Sequence, residues 1–142
     1  MDVFVALRVI RPDGAEHLYS NDPREPMTHG ALKVSHRVTD PKRSNARRPW
    51  HTHRREDLRL LAPGEIVEVE VEIMGVAARI PAGGRLRFDI HPVERNGDPL
   101  GGGEGFKRAY DRSYHDGAQN HVHTGPSFPS RLIVPVMPAG GT

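Results

Sequence analysis

Residues 65–73 alternate strictly, with Val67, Val69, Val71 and Ile73 separated by Glu68, Glu70 and Glu72. A period of two is the mark of a strand with one buried and one wet face. The same alternation sets Leu86, Phe88 and Ile90 against Arg85, Arg87 and Asp89, and sets Leu32, Val34, His36 and Val38 against Ala31, Lys33, Ser35 and Arg37. These runs predict further half-buried strands over residues 85–90 and 30–38. Residues 3–10 and 132–136 are apolar at almost every position, which predicts central strands covered on two sides. Residues 80–84, Ile-Pro-Ala-Gly-Gly, read as a turn. No stretch has the period of a long amphipathic helix.

The 15 glycines and 13 prolines are scattered between these runs instead of gathered in one tract, as expected of turns joining short strands. An all-β chain follows. Two segments, 40–59 and 93–120, lack periodicity. Loops of that length usually serve a purpose in a compact domain, so both are expected to meet a partner. A central strand that begins at the very start has no earlier strands to flank it, so the chain reads as cut from something larger, with a sheet edge left open.

Composition narrows the chemistry. A chain of 142 residues is one domain by size. The absence of cysteine removes disulfides, thiolate nucleophiles and thiolate zinc sites. There is neither a membrane-spanning apolar run nor a signal-peptide pattern at the N-terminus, so the expected location is the cytoplasm. Twenty basic against 18 acidic side chains give a net charge of +2, too little for a whole-molecule field. Nine histidines would add positive charge as pH falls through roughly 6.5.

No serine lies in the Gly-x-Ser-x-Gly turn that exposes a hydrolase nucleophile, so no catalytic residue is assigned. Ser35-His36 carries no weight, because adjacent strand residues point to opposite faces. His51, His53 and Glu56 are the one metal candidate, since His-x-His on extended backbone places two imidazoles on one side near a carboxylate. They resemble a cupin site poorly. Only two residues separate His53 from Glu56, and the later histidine is missing, so no metal and no cofactor are expected. His121 and His123 repeat the pair. With Trp50, His51 and His53 they form the expected partner-docking surface.

Lys42, Arg43, Arg47, Arg48, Arg54, Arg55 and Arg59 make the 40–59 loop basic around Trp50, yet Glu65, Glu68, Glu70 and Glu72 follow at once. A self-neutralising or docking surface explains this better than nucleic-acid binding. Trp50, Tyr110 and Tyr114 are the aromatic candidates for an alternative reading as a carbohydrate-binding module.

Several segments together carry a family resemblance. Gly30-Ala31-Leu32-Lys33-Val34-Ser35-His36-Arg37, Arg48-Pro49-Trp50-His51-Thr52-His53 and Leu61-Ala62-Pro63-Gly64-Glu65-Ile66-Val67-Glu68-Val69 resemble successive parts of the C-terminal domain of CocE/NonD hydrolases, the group of cocaine esterase and X-Pro dipeptidyl-peptidase. Pro81-Ala82-Gly83-Gly84-Arg85-Leu86-Arg87-Phe88-Asp89-Ile90, His123-Thr124-Gly125 and residues 129–138 are similar to later parts, in the same order. Ile73-Met74-Gly75-Val76 departs from a common Trp-Pro-Thr stretch, and Gly84 stands where a histidine is frequent.

The resemblance implies a jelly-roll β-sandwich, galactose-binding-like in topology, over residues 1–138 with a tail at 139–142, and with the first jelly-roll strands missing. It implies a non-catalytic accessory role beside an α/β-hydrolase domain or chain, which would hydrolyse acyl esters or Xaa-Pro peptides. The expected partners are that hydrolase or a second copy of the chain, without nucleic acid or membrane.

Overall fold

The computed structural model describes residues 1–19, 25–91 and 119–137. Its framework is an antiparallel sheet of four strands: β1 (Asp2–Ile10), β2 (Glu16–His17), β3 (Thr28–Lys33) and β4 (Arg85–His91). β4 pairs with β1 from Phe4 to Ile10. β3 takes β1 from Asp2 to Leu7 and β2 takes Val9 and Ile10, so these two share the opposite edge end to end. β1 is therefore the central strand, paired on both sides, and the open edge expected beside it is not there. Among the described residues the only helical turns are two 3-10 segments, Val34–His36 and Arg55–Asp57. The all-β reading holds.

The register fixes two faces, because cross-strand neighbours in an antiparallel pair project to the same side. Val3, Val5, Leu7 and Val9 share a face with Leu32, Gly30 and Thr28 of β3 and with Leu86, Phe88 and Ile90 of β4. Val3, Val5 and Val34 form the core cluster. Leu61, Val67, Val69, Val71 and Ile73 pack against it as a second layer. Segment 65–73 is not joined in a strand ladder, but its period of two is realised: Glu68 and Glu70 are exposed while the apolar partners turn inward. The layer is fastened at its end by Met74 N–H to His29 O at 3.0 Å and by Thr28 Oγ1–H to Met74 O at 2.6 Å. Gly30 allows this closure, since a Cβ built there would lie 2.0 Å from the Glu72 carbonyl oxygen.

Besides 65–73, which forms no ladder, two strand expectations are corrected, and β4 differs in which face is covered. The run at 30–38 breaks after Lys33, where the β1–β3 ladder ends and Val34 folds into a 3-10 turn closed by Arg37 N–H to Val34 O at 3.2 Å. Leu32 and Val34 still both point inward, at 4% and 1% exposure. Residues 132–136 form no strand, and Ile133, Val134 and Val136 are exposed, so this run has no ladder partner among the described residues. β4 forms as expected, yet Phe88 and Ile90 stay open while Asp89 and His91 are half-buried, because Asp89 is drawn towards Arg8. The expected turn at 80–84 is present, with Gly84 N–H bonded to Pro81 O at 2.8 Å. At Gly84 a Cβ would approach Pro81 O to 2.9 Å and Ile10 O to 3.1 Å, so a larger residue cannot enter without displacing the turn.

Candidate functional site

Loop 38–54 folds back on itself. Thr52 N–H donates to Val38 O at 3.0 Å and Asp40 N–H to Trp50 O at 2.8 Å, with Thr39 bridged to His51. A second bridge, Asn45 to Arg48, closes the tip. Trp50 N–H donates to Ser44 Oγ at 2.8 Å, which places this serine in a structural role. The Arg43 guanidinium lies 3.5 Å from the Trp50 ring centre and that of Arg48 lies 4.7 Å away. Cation–π contacts of this kind are worth about 0.5–1 kcal/mol at exposed sites. Arg48 also pairs with Glu72 at 2.7 Å, and Arg37 with Glu65 at 3.7 Å. The basic loop is thus partly neutralised by the glutamates that follow it. Trp50 is half-buried with a guanidinium on its ring, which makes it a poor platform for a sugar. Tyr110 and Tyr114 lie outside the described residues, as does most of the 93–120 segment.

The His51–His53 pair is joined by His36, not by Glu56. His53 Nδ1 lies 3.2 Å from His36 Nδ1, and the His53 ring centre lies 5.3 Å from His36 and 5.8 Å from His51. His51 Nε2 donates to Glu70 O at 2.9 Å, tying the loop to the second layer. Partial burial, followed by the charges of His36 and His51, lowers the pKa of His53 below the ordinary 6.5. His53 adopts φ +53°, the left-handed region that non-glycine residues rarely enter. Among the described residues no group of three His, Asp or Glu side chains is disposed to hold a metal ion. Glu56 sits in the 3-10 turn Arg55–Asp57, where its carbonyl accepts from Arg59 Nη1 at 2.9 Å.

His121 and His123 are exposed on a separate segment. The His123 ring lies 5.1 Å from that of Phe128, and the His123 carbonyl accepts from Ser130 Oγ at 3.5 Å. Two groupings escaped the sequence reading. The alternation at 30–38 puts Ser35 and His36 on opposite faces of a strand, but His36 sits in a 3-10 turn, where that argument fails. Arg8, the one charge in the apolar run 3–10, is 4% exposed and pairs with Glu16 at 2.5 Å and Asp89 at 3.2 Å. Arg87 closes the network, at 3.3 Å from Glu16 and 3.1 Å from Asp89.

An imidazole tied to backbone, a serine used as a turn brace and a charge network around the buried Arg8 are structural arrangements within an all-β module. Residues 1–133 match the family described as the X-Pro dipeptidyl-peptidase C-terminal non-catalytic domain, and the chain belongs to that family. Among solved structures it is similar to a CocE/NonD family hydrolase from Staphylococcus aureus, with 29% identity and a TM-score of 0.56. That match covers 63% of this chain and 16% of the hydrolase, so the chain corresponds to a small part of that enzyme's length. No curated protein matches the chain. Among the described residues no helix is long and apolar enough to cross a membrane.

Proposed function

We propose that this chain is the accessory module of a CocE/NonD-type serine hydrolase, in which an α/β-hydrolase domain or chain cleaves acyl esters or Xaa-Pro peptides. The match of residues 1–133 to a C-terminal non-catalytic domain carries this reading. The module works in the cytoplasm, and its sandwich is a galactose-binding-like jelly roll. The docking surface includes Trp50, His51, His53, His121 and His123. In support, Ile133, Val136 and Met137 stand 54%, 82% and 89% exposed, an apolar run that a partner surface would cover. Incubating the purified chain with p-nitrophenyl acetate is expected to give only the background rate. Saturable turnover that persists through further purification would overturn the proposal.

A further inference from the structure

His51 ties the 38–54 loop to the 65–73 layer beside the Arg48–Glu72 ion pair, His53 meets His36 of the turn after β3, and the geometry of these imidazoles leaves no room for added protons. At 3.2 Å the facing Nδ1 atoms of His36 and His53 can share one proton, one nitrogen donating and the other accepting. Two imidazolium rings would present N–H to N–H at that contact. His51 is constrained in a second way. Its Nε2 is committed to Glu70 O, and its Nδ1 is buried with no hydrogen-bond partner, so a proton added there would be a buried, unsatisfied donor. We propose that His36, His51 and His53 form a proton-operated latch, which fastens the 38–54 loop to the 65–73 layer while all three rings are neutral and releases it when a ring becomes imidazolium.

The surrounding charges do not offset the added protons. On the loop itself the neighbour is Arg54, and from the 3-10 turn that follows come Arg55 and Glu56. From the turn after β3 comes Arg37, engaged by Glu65 and bonded to the carbonyls of Val34 and Arg59. From the second layer come Glu72, already held by Arg48, and Glu70, whose carbonyl is the loop's anchor. The sign follows from the lowered proton affinity of His53. Relative to the ordinary value of 6.5, the closed latch binds its proton less readily than the open one. The closed form is therefore fully favoured above about pH 6.5 and loses ground as pH falls below it.

The single tryptophan lies in the loop beside His51, so its fluorescence reports release directly. Lowering the pH of the intact chain from 7.5 to 5 is expected to shift Trp50 emission with a midpoint below 6.5, while the far-ultraviolet circular dichroism stays constant. In His36→Asn the amplitude is expected to fall to less than about half, because one imidazole no longer opposes another. Nuclear magnetic resonance of the wild-type rings is an independent readout that needs no variant. His53 is expected to titrate below the ordinary imidazole value of 6.5. A flat Trp50 signal, an unchanged transition in His36→Asn, or a His53 midpoint at or above 6.5 would each overturn the latch.

Discussion

Gly30→Ala is expected to destabilise the chain by about 3 kcal/mol, because an added methyl would overlap backbone that has nowhere to go. The Cβ would fall 2.0 Å from the Glu72 oxygen, 3.0 Å from its carbonyl carbon and 3.3 Å from the Ile73 Cα. Relief requires lifting residues 72–73 from β3. That movement would open the packing of Val71 and Ile73 on Val3, Val5 and Val34 and loosen the bonds from Met74 to Thr28 and His29. Urea unfolding followed by circular dichroism measures the effect. Gly75→Ala is the control, since a Cβ there meets nothing within 4 Å, and its stability is expected to stay within about 0.5 kcal/mol of wild type. Equal midpoints for the two variants would mean that the second layer does not close on β3 as described.

Arg8→Ala carries the second large effect, again about 3 kcal/mol or more. Arg8 is 4% exposed, and Glu16 and Asp89 converge on it from β2 and β4 across the central strand. Deleting the cation leaves two poorly solvated carboxylates facing each other, and removing one partner of a buried pair is far more costly than losing an exposed pair. Arg87 compensates only in part, because it is the more exposed member. The exposed pair Arg11–Asp13, at 3.4 Å, sets the comparison: Arg11→Ala is expected to change stability by no more than about 1 kcal/mol. Chemical denaturation of both variants checks the difference, and a small loss for Arg8→Ala would show that the network contributes little to the sheet.

These residues also show what the sequence made legible. The apolar character of residues 3–10 at every position but Arg8 identifies the central strand, because a strand covered on both faces needs no polar side. The alternation at 65–73 identified which side chains turn inward, since it records burial. Neither alternation nor a continuous apolar run carries information about ladder partners, which is why the apolar run predicts a central strand at 132–136, where Ile133 and Val134 in fact stand exposed. The extent of the strand at 30–38 was overread for a related reason. Val34 remains inward after the backbone leaves the ladder, so the apolar pattern runs past the hydrogen bonds that define the strand.

At the candidate site, His51 and His53 were visible from their spacing. Their third neighbour was not, because His36 is brought to them by a turn after β3, a contact between residues 17 apart in sequence. The candidate carboxylate, Glu56, lies in the 3-10 turn Arg55–Asp57, and among the described residues it forms no metal-holding group with the pair. The signals that could have pointed further were isolated exceptions to a pattern. Arg8 is a charge in an apolar run, and Gly30 is a residue without a side chain within a strand that packs on a second layer.

The supporting role proposed for the module rests on physical contact with a hydrolase domain. Analytical ultracentrifugation of the purified chain mixed with a CocE/NonD-type α/β-hydrolase domain lacking its own C-terminal module tests that contact directly. A one-to-one complex that protects Trp50 from a soluble quencher is the expected result. Independent sedimentation of the two components, at concentrations well above those of a stable interface, would contradict the account.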